Sequence, residues 1–326
     1  MNKIGLLHGA GGRATWSLIK NLFVPRLGGP TTFEDAAELS INGSKLAFTT
    51  DSFVISPLFF SGGNIGKLAV YGTVNDLACR GAIPFALALS FIIEDGFPTE
   101  SLEKVASAAG EATQEVGIKI SCGDTKVVEQ GKGDGLYITS TGIGVIPPDV
   151  EFSSERVKVG HKIIVSGTVG DHEAAIIAAR EGFDEPAKSD LCSIYPLVAE
   201  LPPNETIAIR DPTRGGLATV LNEIAEQQNV AIEIYEENIP LSAKTKVIAE
   251  ILGLDPLYMA SEGKAVMFVK PEKVGEILNN IRRTTLGENA QMVGEVVEGK
   301  GVWLKTSWSG KRKLLMLQGE QLPRIC

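Results

Sequence analysis

Four aspartates lie in short motifs rich in glycine, small or hydroxyl-bearing residues, which suits binding of a metal-complexed polyphosphate. The four are Asp51 in TTDS, Asp76 in NDLA, Asp124 in GDTK and Asp211 in DPTRGG. Several carboxylates repel a polyphosphate unless divalent cations lie between them, and Mg²⁺ bridges carboxylates to phosphate oxygens. Three basic residues would supply complementary charge, namely Lys67, Lys126 and Arg214. The set predicts a Mg²⁺-phosphate site, although each aspartate alone is typical of a turn or helix cap.

The common nucleotide-binding loops are missing from the sequence. Residues 61–68 resemble a P-loop, but Ser61 stands in place of its first glycine and Leu68 in place of the required Ser or Thr. No dinucleotide fingerprint and no GxSxG elbow occur either. The glycine-rich residues 8–13 (HGAGGR) are equally typical of a flexible terminus and of a lid over phosphates.

The last residue of the sequence is a cysteine, Cys326, in the segment LPRIC. A thiol in this position can be carried to chemistry elsewhere in the molecule. Pro323 stiffens the approach, and Arg324 is expected to favour the thiolate. Taken alone, the segment is more typical of an incidental cysteine in a frayed terminus. The acidic motifs have to decide between these two interpretations.

Composition limits the class of partner and the compartment. The 326 residues carry a net charge of −9, which argues against a nucleic-acid or acidic-membrane partner. No apolar stretch is long enough to span a bilayer, and no signal peptide is visible. The four cysteines are scattered without CxxC spacing, which argues against zinc, an iron–sulfur cluster or a disulfide framework. We therefore expect a cytoplasmic protein with free thiols.

The hydrophobic pattern alternates between strand-like and helix-like stretches, which predicts a mixed α/β (α+β) chain. The segment from Pro147 to Gly160 interrupts the alternation and resembles a linker. We therefore predict an N-terminal domain at residues 1–150 and a second α/β domain at 151–306. Residues 307–326 have no clear partner in the pattern and are predicted to be a mobile tail.

Taken together, the motifs resemble the HypE family of hydrogenase maturation proteins. This family belongs to the superfamily of aminoimidazole ribonucleotide synthetase, selenophosphate synthetase and thiamine-monophosphate kinase. The similarity runs through nearly the whole chain, from HGAGG at residues 8–12 and GGNIGKLAVYGTVNDLA at 62–78 to RDPTRGGLATVLNEIA at 210–225 and PRIC at 323–326. The superfamily shares the aspartates and a DPTRGG-like segment, whereas the PRIC ending is particular to HypE.

The resemblance implies an ATP-dependent carbamoyl dehydratase with a two-domain aminoimidazole ribonucleotide synthetase-like fold. In such proteins the carbamoyltransferase HypF places a carbamoyl group on the terminal cysteine. The S-carboxamide is then converted to a thiocyanate, the source of the cyanide ligands of NiFe hydrogenases. An amide oxygen is a poor leaving group, and transfer of the γ-phosphoryl group of ATP would activate it. Cys326 would then be the attachment point of the substrate.

The resemblance also implies roles for individual residues. Mg²⁺ on the triphosphate would be held by Asp51, Asp76, Asp124 and Asp211. Asn75 and Lys67 would position phosphate oxygens together with Arg214, and His8 and Arg13 would cover them. Glu262 is expected to be the proton-accepting base, and Lys126 would orient the carboxamide or stabilise developing charge.

Further implied partners are a second copy of the chain, in a homodimer with ATP near the interface, and the HypC–HypD scaffold that receives the cyanide. Two alternatives stay open. One is a small-molecule ATP-dependent synthetase or kinase of the same superfamily. The other is a non-catalytic carrier whose terminal thiol accepts and hands over a group.

Overall fold

The structure is a computed structural model that describes residues 3–29, 33–183, 185–308, 310–319 and 322–326. Its strands are β1 (Ala37–Ile41), β2 (Ser44–Phe53), β3 (Phe59–Phe60), β4 (Gly63–Asn64), β5 (Ile83–Glu94), β6 (Lys119–Val128), β7 (Leu136–Ile146), β8 (Lys162–Val165), β9 (Thr206–Arg210), β10 (Ala231–Tyr235), β11 (Val266–Val269), β12 (Gln291–Val297), β13 (Gly301–Lys305) and β14 (Lys311–Leu314). Its α-helices are α1 (Arg13–Leu18), α2 (Val24–Leu27), α3 (Ile65–Cys79), α4 (Thr99–Val116), α5 (Asp171–Glu181), α6 (Tyr195–Ala199), α7 (Gly216–Gln228), α8 (Ala243–Leu252) and α9 (Val274–Ile281). None of these helices is long and apolar enough to cross a membrane. Mixed α/β architecture was predicted, and it is confirmed.

The first sheet has the strand order β1-β2-β7-β5-β6. Only the β5–β6 pair is parallel, and the other neighbours are antiparallel. Helix α3 packs against this sheet with Leu68 and Val74 in the core, and α4 covers α3. The opposite face keeps large apolar side chains in solvent, including Phe48, Phe85 and Val127. Strand β6 forms one edge of this sheet and is exposed along almost its whole length.

Helix α3 begins at the segment that resembles a P-loop. The side chain of Asn64 caps it by accepting hydrogen bonds from the N–H groups of Gly66 and Lys67, at 2.8 and 3.2 Å. A helix cap of this kind satisfies backbone donors that lack partners inside the helix. The glycine-rich segment therefore leads directly into α3.

The second sheet has the strand order β14-β13-β10-β12-β8-β11-β9. Helix α7 packs on one face, where Leu221 and Ile224 share a core cluster with Phe268. Helix α9 packs on the other face through Ile277 and Ile281. All strands of the first sheet precede residue 150 in the sequence, and all strands of the second follow it. The predicted domain limits stay predictions.

Two elements bring the sheets together around a shared core. The end of α3, with Ala78 and Cys79, packs into the core cluster of the second sheet. Ile176 of α5 packs in turn into the cluster of the first sheet. Asn75 of α3 is buried between them and donates hydrogen bonds to the carbonyls of Cys192 and Glu262, both at 3.0 Å. A site between the sheets is therefore built from both halves of the chain.

The C-terminal residues form two structurally different segments. Residues 311–314, predicted as part of a mobile tail, form the edge strand β14 against β13, with Leu314 buried. Residues 322–326 return to the first sheet and pack beside the end of β2. The alternation in β14 is too short to predict a strand from sequence, which is why it was missed. The upstream limit of the tail at residue 307 stays a prediction.

Candidate active site

A cavity of about 300 Å³ opens between the two sheets. It collects charged side chains from distant parts of the chain together with the terminal cysteine. Its charged lining and the thiol are contributed by Glu34, Asp35, Asp51, Asp76, Arg210, Asp211, Arg214, Glu223, Glu262 and Cys326. Three of the four predicted aspartates, the predicted base Glu262, Arg214 and Cys326 are therefore brought together.

The secondary structure explains why these residues converge. Asp51 lies near the end of β2, Asp76 lies on α3, and Asp211 directly follows β9. Gly72, one turn before Asp76 on α3, leaves room at the cavity wall. A Cβ atom there would lie 3.0 Å from the ring of Phe53 and 3.9 Å from Oε2 of Glu262. This glycine is needed because the helix backbone approaches the cavity closely.

The acids of the cavity raise one another's pKa values. Burial raises the pKa of Asp76 well above its usual range, and the charges of Asp51, Asp211 and Asp35 raise it further. Burial and Asp35 likewise raise the pKa of Asp211. A cation bound by these carboxylates would favour their charged forms and oppose this rise in pKa.

Asp35 is a member of this group that the sequence analysis missed. Nε of Arg210 lies 2.7 Å from its Oδ1, whereas its Oδ2 is buried without a hydrogen-bond partner in the described part of the chain. One ligand atom each of Asp35, Asp211 and Cys79 lies within 4.8 Å of the others. Burial raises the pKa of the Cys79 thiol well above its usual range, so the neutral thiol is a poor ligand. The remaining donors are carboxylate oxygens, and they fit Mg²⁺ better than a thiophilic metal.

Glu262 is held by its backbone, and its carboxyl group faces the cavity. Its N–H donates to Oδ1 of Asp190 at 3.1 Å, and its carbonyl accepts from Asn75. The residue is 2% exposed and its Oε1 has no hydrogen-bond partner in the described structure. Burial and the charge of Asp211 raise the pKa of Glu262 well above its usual range, which Arg214 partly offsets. Carboxyl groups with strongly shifted pKa values are typical of sites where protons are transferred.

Cys326 lies inside the cavity because the chain around it pairs with the segment after β2. The N–H of Val54 donates to the carbonyl of Cys326 at 3.3 Å, and the N–H of Ser56 donates to the carbonyl of Arg324 at 3.1 Å. Cys326 is 8% exposed. Burial raises the pKa of its thiol, and the guanidinium of Arg214 only partly opposes this.

The expectation that Arg324 favours the Cys326 thiolate is therefore wrong. The guanidinium of Arg324 donates to the carbonyl of Val54 at 2.7 Å and pairs with Asp134. Its charge is used outside the cavity, while burial keeps the thiol neutral. The geometry suits an attachment point for a group more than a catalytic nucleophile.

Strand β6 carries two predicted site residues that do not line the cavity of this chain. Nζ of Lys126 lies 2.6 Å from Oδ2 of Asp124, and both side chains are exposed. Hydrogen bonding and the charge of Lys126 lower the pKa of Asp124. The pair is therefore a solvated ion pair within a single copy.

The remaining predicted residues do not line the cavity. Nζ of Lys67 lies 3.4 Å from Oε2 of Glu111, and Asn75 holds the Glu262 loop. His8 bonds to the backbone of Gly5, and Arg13 pairs with Glu226. The neighbouring turn of the N-terminal segment does reach the cavity, through Trp16 and Ile19.

Comparison with known proteins identifies the class of this architecture. The N-terminal domain of AIR synthase related proteins matches residues 33–146, and their C-terminal domain matches residues 158–305. The chain therefore consists of the N- and C-terminal domains of AIR synthase related proteins.

Individual relatives are similar over almost the whole chain. The carbamoyl dehydratase HypE of Bradyrhizobium diazoefficiens is 45% identical over 332 residues, covering 99% of this chain and 96% of the relative. A solved HypE–HypF complex contains a chain that is 41% identical with a TM-score of 0.88, covering 92% of this chain and 100% of the other. A hydrogenase maturation protein HypE in complex with ATP is 40% identical with a TM-score of 0.83, covering 99% and 100%. The chain belongs to the HypE family of AIR synthase related proteins.

Proposed function

We propose that this protein dehydrates an S-carbamoyl group on Cys326 to a thiocyanate, in a reaction driven by ATP. The observation that carries the proposal is the burial of the Cys326 thiol in a carboxylate-lined cavity that it shares with Glu262 and Arg214. The relatives named carbamoyl dehydratase and the ATP complex of a similar chain support it. The thiocyanate would supply cyanide for NiFe hydrogenase maturation.

The reaction needs one phosphoryl transfer and the loss of two protons. The carboxamide oxygen attacks the γ-phosphorus of ATP, ADP leaves, and the nitrogen gives up its first proton. Loss of the second N–H proton then expels inorganic phosphate and leaves the C≡N bond on sulfur. Glu262 is the proposed proton acceptor because its buried carboxyl oxygen, unpartnered within the described residues, lies in the cavity that holds Cys326.

The carboxylates are proposed to hold Mg²⁺ with the triphosphate. Asp51, Asp76 and Asp211 are joined here by Asp35, whose buried Oδ2 supports this role. The ion would neutralise phosphate charge and orient the γ-phosphoryl group. Arg214 at the cavity wall would contact phosphate oxygens or the carboxamide. Phosphate contacts from Lys67, Asn75, His8 and Arg13 stay predictions.

We further propose a homodimer that completes the site. The open face of the first sheet exposes Phe48, Phe85 and Val127, and β6 lies at its edge. Apolar surface of this kind is typical of protein interfaces. A second copy packed there would bring its own β6 towards the cavity. Asp124 and Lys126 would then act on the site of the other copy.

The partners follow from the same chemistry. A carbamoyltransferase of the HypF type has to reach Cys326, and the solved HypE–HypF complex supports such a partner. Cyanide would then pass to a HypC–HypD scaffold. We propose that these steps occur in the cytoplasm.

Mass spectrometry of the intact protein tests the function. The protein carbamoylated on Cys326 is incubated with ATP and Mg²⁺, and its C-terminal peptide is weighed. We expect the loss of one water from this peptide, and no loss when ATP is omitted. Unchanged carboxamide with full ATP binding would support a carrier. ATP turnover that survives Cys326→Ala with a soluble acceptor would support a small-molecule kinase.

A further inference from the structure

One end of α5 lies against the C-terminal segment and binds its backbone through Arg180. Arg180 donates from Nη2 to the carbonyls of Pro323 and Arg324, both at 2.7 Å. Its Nε donates to the carbonyl of Ser56, also at 2.7 Å, on the segment that pairs with the tail. One guanidinium thus binds both the tail and the segment that follows β2. Its planar, fixed donors suit several acceptors at once.

His172, two turns earlier on α5, makes the next contact towards the cysteine. Its Nε2 lies 3.0 Å from the carbonyl of Ile325, and its Nδ1 lies 2.8 Å from Oγ of Ser189. A carbonyl only accepts, so Nε2 carries the proton and Nδ1 accepts from the Ser189 hydroxyl. The Ser189 oxygen accepts in turn from the N–H of Leu191 at 3.1 Å, which fixes its hydroxyl towards the ring. The imidazole is fully buried and has one usable orientation.

We propose that His172 and Arg180 are positioning residues that hold residues 323–325 by their carbonyl oxygens and so keep Cys326 in the cavity. Three successive carbonyls before the cysteine are held by these two side chains. None of these bonds involves the sulfur atom. We call His172 and Arg180 the clamp. It therefore holds the segment whether Cys326 carries a thiol, a carboxamide or a thiocyanate, and the cavity residues recognise the carbamoyl group.

The clamp also explains how the C-terminal segment can visit both the cavity and the carbamoyltransferase. Backbone hydrogen bonds are individually modest, and their donors and acceptors exchange them for water when the segment leaves. The tail is thus held firmly enough to bury Cys326 and loosely enough to be released. This consequence rests on the proposed function, whereas the clamp itself concerns only where the thiol lies.

Thiol alkylation tests the clamp without any turnover. Wild type, Arg180→Ala, Arg180→Lys, His172→Ala and His172→Gln are treated with iodoacetamide, and the rate at each cysteine is read from peptide masses. Exposed Cys122 is the reference for reagent, and buried Cys79 reports unfolding. Arg283→Ala, at an exposed arginine, is the matched control.

We expect Cys326 to react far more slowly than Cys122 in the wild type and in Arg283→Ala. Arg180→Ala and His172→Ala should each raise the Cys326 rate on the order of tenfold while Cys79 stays protected. Arg180→Lys should raise the Cys326 rate less than Arg180→Ala, because its ammonium can still bind some, although not all, of the three carbonyls. His172→Gln should likewise retain part of the protection. Unchanged Cys326 rates with protected Cys79 would overturn the proposal. If an alanine variant exposes Cys79, Arg180→Lys and His172→Gln provide the test instead, and unchanged Cys326 rates in both would equally overturn the proposal.

The carbamoylated proteins separate this proposal from the proposed function. Water loss from the C-terminal peptide should slow in Arg180→Ala, while carbamoylation by a HypF-type enzyme should proceed at least as fast as in the wild type. A wild type that shows no water loss, with the alkylation results as expected, would refute the function and leave the clamp. Normal water loss with unaltered alkylation would refute the clamp and leave the function.

Discussion

The cavity around Cys326 and the exposed strand β6 carry the same kinds of residue in opposite surroundings. Asp76 and Asp211 in the cavity are buried among other acids, and burial raises the pKa of both. Asp124 on β6 is exposed beside Lys126, and this pairing lowers its pKa. The sequence motifs therefore supply the same kind of side chain in both regions, whereas the fold sets the direction in which each pKa shifts.

The same comparison distinguishes the part of the proposed site that one copy forms alone from the part that a second copy would add. A single chain assembles the acid-rich wall together with Glu262 and Cys326. It leaves Asp124 and Lys126 on an open edge, next to a large apolar face. If the proposed dimer forms, the two regions become one site.

The largest expected effect concerns Glu262, the proposed base in the cavity. Glu262→Gln keeps the size and backbone contacts of the residue but removes the proton acceptor. We expect dehydration to slow by about 10²–10⁴-fold, the usual range for loss of a general base, with carbamoylation of Cys326 unchanged. Rates of water loss from the carbamoylated protein measure it. The exposed Glu250→Gln is the control. Parental rates in Glu262→Gln would mean that another group removes the protons.

Mixing two inactive variants tests whether the regions belong to one shared site. Asp76→Asn damages the cavity and Lys126→Ala damages β6, and each should be nearly inactive alone. In mixed dimers one of the two sites combines an intact cavity with an intact β6, so remixing after subunit exchange should restore about a quarter of parental activity. Activity assays after exchange measure this. No restoration, with mixed dimers demonstrated by mass, would confine each site to one copy.

Stability should respond to pH through Glu173 beside the cavity. Burial raises the pKa of Glu173 to about 7 from an ordinary value of 4.5. Folding therefore favours the protonated form of Glu173. Its contribution to the free energy of unfolding is complete below pH 4.5 and is lost as the pH rises to about 7. Glu173→Gln should remove this loss, so that its free energy of unfolding gains about 3 kcal/mol relative to the wild type as the pH rises from 4.5 to 8. Urea unfolding at several pH values measures the difference.

A constant difference in unfolding free energy between the two proteins across this range would contradict the prediction. It would mean that Glu173 has an ordinary pKa in the folded state. Asp124→Asn on β6 serves as the comparison, because the lowered pKa of Asp124 confines its effect to acidic solution.

The smallest expected effect is relief of repulsion in the cavity. Asp76→Asn removes one of several acids that raise one another's pKa. Without divalent cations its free energy of unfolding at pH 8 should exceed that of the wild type by about 1 kcal/mol. The same variant should need more Mg²⁺ for stabilisation by ATP. Thermal unfolding with and without Mg-ATP measures both. A destabilised metal-free variant would show that the acids are not in conflict.

The sequence predicted the skeleton of the site well and its surroundings less well. Helix α3 is readable from the sequence because residues 65–79 are apolar almost throughout and Asn64 caps their first turn. Strand β6 was missed because Gly123 and the charges of Asp124 and Lys126 interrupt any apolar alternation. Mixed architecture and the grouping of Asp51, Asp76 and Asp211 with Glu262 and Cys326 followed from the motifs and the resemblance.

Contacts between distant segments were beyond the sequence. Asp35 lies in FEDAA, where nothing adjacent indicates that Arg210 and the cavity lie beside it. Arg180 resembles a solvent-facing residue at the end of a helix, yet it binds carbonyls of the tail. Arg324 is adjacent to Cys326 in sequence but points away from it. Proximity along the chain was a poor guide because the tail folds back onto another element.

The central claim is that the Cys326 carboxamide is dehydrated by phosphorylation of its own oxygen, and oxygen-18 tests it most directly. The protein is carbamoylated with a labelled carboxamide oxygen and incubated with Mg²⁺ and unlabelled ATP. We predict that the C-terminal peptide loses one labelled water equivalent and that one labelled oxygen appears in inorganic phosphate. Label that stays on the peptide, or that enters bulk water while phosphate is unlabelled, would contradict the account.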